Sequence, residues 1–259
     1  MNYKFYHSLY GNRYNDYMGV GIALPASMQL ISTDFISIGD CLRSTMEPHE
    51  KQTGFFAWCH DLCEFILARC KKPTIDPWNV AICRNNTLIC LQVIIDDKPL
   101  YIGTYHMPCL YSIPDTMIIH SSMVKDLMFQ MAAGHPFILA GDFNFKPNEI
   151  PYRVITEKSY LNHVRLPNSN QYEVSYRPNG EQILKSAYCE KNGTEPNYTN
   201  FASTSQTPNF CATLDYIFFA GNLHVNKVLD LPDHPTGESY PDETHPSDHL
   251  MIAASFQLL

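Results

Sequence analysis

Apolar positions along the chain come in short blocks separated by polar stretches. Gly19-Val20-Gly21-Ile22-Ala23-Leu24 is an unbroken apolar run, read as a buried strand in which glycine lets another backbone approach closely. Across residues 54–71, Phe55, Phe56, Cys59, Cys63, Phe65, Ile66 and Leu67 fall roughly on one face of a helix. Three strands are read at residues 79–83, 87–95 and 100–106, the last two joined by an Asp96-Asp97-Lys98-Pro99 turn. Residues 117–133 read as a helix stopped by Gly134, and residues 136–141 as a short, wholly apolar strand. Residues 146–210 are richer in Pro, Asn, Ser and Thr and hold the longest loops, after which residues 214–219 and 250–256 supply two more apolar strands. Wholly apolar strands with helices between them need cover on both faces of their sheet, which implies a layered α/β sandwich.

Polar clusters stand where these strands end. Ile138-Leu139-Ala140-Gly141-Asp142-Phe143-Asn144 delivers a carboxylate and an amide two positions apart, a spacing that points both to one side of a strand. A carboxylate there can take a proton from water or hold a metal, and the amide can donate to a phosphate oxygen. Thr213-Leu214-Asp215-Tyr216-Ile217 sets a second carboxylate among apolar residues, where it requires a hydrogen-bonding or cationic partner. His245-Pro246-Ser247-Asp248-His249-Leu250 offers one: His249 can pair with Asp215, fixing its tautomer and raising its pKa, while Asp248 faces elsewhere and can ligate a metal. His106 closes a further apolar strand at Thr104-Tyr105-His106. Each cluster alone fits a polar turn as well as a site; together, at successive strand ends, they point to a site.

Composition narrows the class. The 259 residues are 45% hydrophobic with net charge −8, enough for one large core but the wrong sign for a broad electrostatic grip on nucleic acid. A polyanionic substrate must therefore be held locally, by metal ions and a few placed side chains. No apolar run reaches the roughly 20 residues needed to span a bilayer, and the first residues lack a secretory apolar stretch, so an intracellular, cytoplasmic protein without membrane contact is expected. The nine cysteines form an odd set, several within apolar segments, as buried free thiols do in a reducing compartment. Cys59, His60 and Cys63 suggest zinc, but without a second such pair thiols on a core-facing helix fit better.

Taken together, these residues resemble the endonuclease/exonuclease/phosphatase superfamily. Gly141-Asp142-Phe143-Asn144 matches its GDFN motif, Leu214-Asp215-Tyr216-Ile217 its LDYI motif, and Ser247-Asp248-His249 its SDH motif. The segments Ser186-Ala187-Tyr188 and Gly193-Thr194-Glu195-Pro196-Asn197-Tyr198-Thr199-Asn200 are similar to the branch holding the carbon-catabolite-repression deadenylases, nocturnin, the Angel proteins and the 2′-phosphodiesterase. The resemblance implies a four-layer α/β/β/α sandwich of mixed sheets and a Mg2+-dependent phosphodiesterase, with Mn2+ as an alternative ion. It assigns Asp142 to the attacking water, Asn144 to the reacting phosphate, and His106 and His249 to phosphate oxygens. Asp215 would orient His249, and Asp248 would assist the metal. Tyr198 and Phe201 are candidates for stacking on bases, or else for packing.

One part of the family pattern is absent. The strand ending in Gln-Glu, whose Glu is the main metal ligand, has no counterpart in the first fifty residues. The expectation is one domain over residues 1–259, truncated at its amino terminus and lacking its first strands. Either a protein partner or the Tyr-rich segment 3–17 would then cover the exposed sheet edge. The leading function is a deadenylase-like 3′-exonuclease acting on the 3′ end of single-stranded RNA. A 2′,5′-phosphodiesterase or 2′,3′-cyclic phosphatase shares the chemistry. From another class, a degenerate, non-catalytic module that holds RNA or protein would explain the missing Glu.

Overall fold

The first two strands, β1 (Tyr3–Tyr10) and β2 (Met18–Pro25), pair with each other along their whole length. There follow β3 (Gln29–Ser37), α1 (Ile38–Arg43), β4 (Met46–Pro48), α2 (Pro77–Ile82), β5 (Thr87–Ile95), β6 (Lys98–Thr104), α3 (Pro114–Ala132) and β7 (Phe137–Asp142). The remainder comprises α4 (Ile150–Thr156), β8 (Tyr172–Val174), β9 (Lys185–Ser186), α5 (Ala187–Asn192), β10 (Asn200–Ala202), β11 (Phe210–Ala212), β12 (Asp215–Ala220), β13 (Leu223–Val228) and β14 (Ala254–Leu258). This computed structural model describes residues 2–10, 18–48, 75–160, 166–205 and 207–259. The helix expected over 54–71, with Cys59, His60 and Cys63, lies outside them.

A six-stranded mixed sheet in the order β3-β5-β6-β7-β12-β9 forms the centre, with β6 and β7 parallel and the other neighbours antiparallel. Its apolar strands feed two cores by simple alternation. Leu88, Cys90, Phe137, Leu139, Tyr216 and Phe218 point to one face, where Leu42, Trp78, Met123, Val124 and Met128 from α1, α2 and α3 cover them. Ile89, Leu91, Val93, Ile217 and Phe219 point to the other, under Ile22 and Leu24 of β2, Tyr188 of α5 and Val225 of β13. The fold is thus mixed α/β with both sheet faces covered, as the unbroken apolar strands require.

Several local expectations shift. Residues 79–82 belong to helix α2, with Cys83 as its C-cap, and not to a strand. Asp76 caps it by accepting from the backbone N–H of Trp78 and Asn79 at 2.9 and 3.4 Å, and Pro77 occupies the first turn. The four-residue apolar run Val80-Ala81-Ile82-Cys83 fits helix or strand equally, and the cap decides. The helix expected over 117–133 starts earlier, at Pro114, and ends where Ala133 turns left-handed at φ 47° ahead of Gly134 at φ 90°. The last strand begins only at Ala254, because residues 249 and 250 are held instead against residues 199 and 200: His249 bridges to Asn200, and Leu250 N–H donates to Thr199 O at 2.7 Å. The described part of the Tyr-rich amino-terminal segment, Tyr3–Tyr10, does not add to an edge of the central sheet. Its β1–β2 ribbon lies on the sheet's face, with Tyr6 and Val20 packed into the second core. The described cysteines are free thiols, and no described helix is long and apolar enough to cross a membrane.

Candidate active site

The central sheet brings three strand ends to one place. Antiparallel pairing sets Asp215, the first residue of β12, directly opposite Asp142, the last of β7. Parallel pairing runs β6 beside β7, so His106 emerges next to Asp142, and Met107 N–H donates to Asp142 O at 2.9 Å. Gly141 makes this approach possible: a Cβ on it would sit 2.0 Å from Tyr105 O. Beyond Asp142 the strand stops, so Asn144 does not reach the same side by alternation. It does so through a tight turn, with Asn144 at φ 52° and its backbone N–H donating to Asp142 Oδ1 at 2.9 Å. A left-handed non-glycine residue carries strain and is held only where its surroundings fix it. Here Asn144 Nδ2 supplies the fixing, donating to Met107 O at 2.9 Å and to Asp142 Oδ2 at 3.3 Å. Both amide hydrogens are thereby engaged, so the amide braces the turn before it could donate to a phosphate.

His249 flanks Asp142 on one side. A bridge between Asn200 and His249 ties the His-bearing loop to β10, and Phe201 N–H donates to Asp248 O at 2.9 Å. His249 Nδ1–H donates to Asp215 Oδ2 at 2.8 Å, while Nε2 lies 4.0 Å from Asp142 Oδ2. Thr199, fully buried, completes the arrangement. Its hydroxyl donates to Asp215 Oδ2 at 2.7 Å and accepts from the backbone N–H of Leu214 and Asp215. The hydrogen bond to Asp215 outweighs burial and raises the His249 pKa to about 9. The ring is a cation at neutral pH.

His106 flanks Asp142 on the other side, with Nε2 3.5 Å from Asp142 Oδ2. Its Nδ1 meets no carboxylate but the Tyr10 hydroxyl, 2.6 Å away, and Asn86 Nδ2 donates to its backbone carbonyl at 2.7 Å. Burial lowers the His106 pKa, the neighbouring His249 lowers it further, and Asp215 only partly offsets them. The Asp142 carboxyl, between the two rings, is pushed up to about 6, chiefly by burial and then by Asp215, against the Asn144 N–H and His249. A carboxylate, a cationic imidazole and a neutral imidazole thus share one small space.

Asp248 stands beside this group, its Oδ2 accepting from Asn200 Nδ2 at 3.2 Å. Tyr198 and Phe201 do not line it: they are 1% and 5% exposed and pack with Tyr240 in a cluster of their own. Their rings serve packing, and a base cannot stack on them as they stand. Sequence reasoning passed over Thr199, Asn200, Asn86 and Tyr10. Thr199 and Asn200 lay within a quoted motif and were legible there; no local signal marks Asn86 or Tyr10. Among the described residues, no three His, Cys, Asp or Glu side chains are disposed to hold a metal ion. Mg2+ commonly takes one or two carboxylates and completes its shell with water and phosphate oxygens. Asp248 suits such oxygen ligation but is an incomplete site by itself.

The Endonuclease/Exonuclease/phosphatase family model matches residues 2–249. Carbon catabolite repressor protein 4 homolog 4 of Arabidopsis thaliana is 33% identical over 126 residues, 47% of this chain and 27% of that protein. The 2′,5′-phosphodiesterase 12 of Homo sapiens is 29% identical over 156 residues, 54% of this chain and 22% of that protein. The chain therefore spans about a quarter of the length of the curated relatives it matches. Among solved structures, ANGEL2, a 2′,3′-cyclic phosphatase, superposes with TM-score 0.64 at 19% identity, covering 98% of this chain and 74% of that one. The human nocturnin catalytic domain gives 0.57 at 17% identity, covering 98% and 73%. These likenesses show the shared fold. By sequence motif, family model and fold together, the chain belongs to the endonuclease/exonuclease/phosphatase family.

Proposed function

We propose that the cluster around Asp142 hydrolyses phosphodiester bonds in RNA, removing nucleotides from a single-stranded 3′ end. The observation that carries the reading is the placement of two imidazole Nε2 atoms 3.5 and 4.0 Å from one Asp142 oxygen, one ring charged and the other neutral. A phosphate held between the rings would meet a cation on one side and a neutral donor on the other. Asp142, with its pKa near 6, is basic enough at neutral pH to take the proton of an attacking water. As the water oxygen bonds to phosphorus, the added negative charge falls beside His249. The bond to the leaving hydroxyl breaks, and that oxygen takes a proton from solvent. Charge stabilisation of this kind is a large catalytic term because the dipoles are already in place.

A bound Mg2+, or Mn2+ in its place, would neutralise phosphate charge and support the leaving oxygen; Asp248 is the residue we assign to assist it. The 3′ polarity and RNA substrate rest on relatives described as 3′-5′-exoribonuclease subunits, such as the Vairimorpha ceranae protein, 30% identical over 124 residues, 47% of this chain and 24% of that protein. We extend the same reading to the architecture, with the two-stranded sheets β1–β2 and β13–β14 as parts of the second sheet of a four-layer sandwich. The test offers the 259-residue chain oligoadenylates of equal length with 3′,5′ linkages, 2′,5′ linkages or a 2′,3′-cyclic end. Shortening of the first supports the reading, and action on only one of the others reassigns the linkage.

A further inference from the structure

We propose that Tyr10 is a positioning residue for His106: its hydroxyl donates to Nδ1 and so holds the neutral ring in the tautomer that presents Nε2–H to Asp142. The inference rests on the reading of His106 as a phosphate-facing residue, but its geometry stands independently. Tyr10 is the last residue of β1 and almost fully buried, and its hydroxyl is 2.6 Å from Nδ1. The rest of its strand covers the central sheet's face and has no part in the site. Asn86 holds the His106 carbonyl at 2.7 Å, so the ring is fixed at its backbone and at Nδ1 alike.

The direction of the Tyr10 bond follows from what stands across the ring. Were Nδ1 to carry the proton, the lone pair of Nε2 would face Asp142 Oδ2 at 3.5 Å, two acceptors confronting each other. With the Tyr10 proton on the donor side, Nε2–H faces the carboxylate and the contact becomes attractive. The phenol can keep this role throughout the neutral range, since burial and the nearby Asp142 charge both raise its pKa well above the usual value. A phenol behind Nδ1 orients a ring without charging it. The carboxylate behind His249 Nδ1 does both. Burial and the neighbouring His249 keep the His106 ring neutral, and the Tyr10 hydroxyl selects which of its nitrogens carries the proton.

The test is the nitrogen spectrum of the 15N-labelled, metal-free 259-residue chain at pH 7.5. In the wild type, His106 Nδ1 should resonate as an unprotonated, hydrogen-bonded nitrogen and Nε2 as a protonated one, whereas both nitrogens of His249 should be protonated. Tyr10→Phe should shift His106 Nδ1 toward a free, tautomerically averaged value while the His249 signals, which report that the site is still folded, stay in place. The same variant should lower kcat for oligoadenylate about tenfold with little change in KM. A wild-type spectrum with a protonated His106 Nδ1 overturns the inference, as does a Tyr10→Phe spectrum with His106 unchanged. If the chain cleaves no RNA but shows the stated nitrogen pattern, the positioning role stands and the functional reading falls.

Discussion

The two sides of Asp142 are built from the same side chain and differ in what stands behind it. Behind His249 is Asp215, itself held by the buried Thr199 hydroxyl. Behind His106 is the Tyr10 phenol. The first partner is an acceptor that favours the protonated ring; the second is a weak acid that stays protonated beside a ring which burial and His249 keep neutral. Because both Nε2 atoms converge on one carboxylate oxygen, the difference in partner becomes a difference in task. In the proposed reaction His249 would stabilise developing charge, and His106 would orient without adding a second cation beside the first. Two cations this close would repel each other, consistent with His249 being a cause of the lowered His106 pKa.

The largest expected effect comes from removing the charged side. His249→Ala should lower kcat for RNA by about a thousandfold, the upper range for losing one preorganised charge-stabilising group. Equal losses in His249→Ala and His106→Ala, measured under single-turnover conditions, would erase the proposed division. Asp215→Asn makes the His249 side resemble the His106 side, with a neutral partner. It should cost about a hundredfold in kcat while RNA affinity changes little; an equal loss in both would mean that Asp215 serves folding alone.

A smaller effect separates the sides by pH. The folded-state pKa of His249, about 9, lies above its usual 6.5. Its stabilising contribution is therefore complete below about pH 6.5 and is lost as pH rises through about 9. In metal-free buffer the Tm should fall over that interval in the wild type, and this part of the fall should be absent in Asp215→Asn. An identical slope in both proteins would show that the pair is not formed.

Much of this was legible in the chain, and the parts that were not have physical reasons. The apolar strands at 87–95 and 136–141 declare a twice-covered sheet because alternate residues feed alternate cores, Leu88 and Cys90 one and Ile89 and Leu91 the other. The Asp215–His249 contact could be anticipated because a carboxylate among apolar residues requires a partner. The convergence of Asp142 and Asn144 was anticipated by the wrong route: strand alternation was assumed, whereas a left-handed Asn144 does the work. Helix α2 was misread because its cap, Asp76, precedes a run too short to show a period. The sequence leaves Tyr198 and Phe201 open between stacking and packing because aromatic residues near a motif look alike whether exposed or packed; burial decides for packing. Tyr10 was invisible as a partner, since 96 residues separate it from His106 and only the fold brings them together.

The central claim is that Asp142 and its two histidines cleave RNA phosphodiesters from the 3′ end. Its most direct test is to incubate a 5′-labelled oligoadenylate with the 259-residue chain and with Asp142→Asn across a range of Mg2+ concentrations, resolving products by length. The account predicts Mg2+-dependent, stepwise shortening by the wild type and a loss of at least about a hundredfold in Asp142→Asn. Equal shortening by both proteins, or none by the wild type at any Mg2+ concentration, would contradict it.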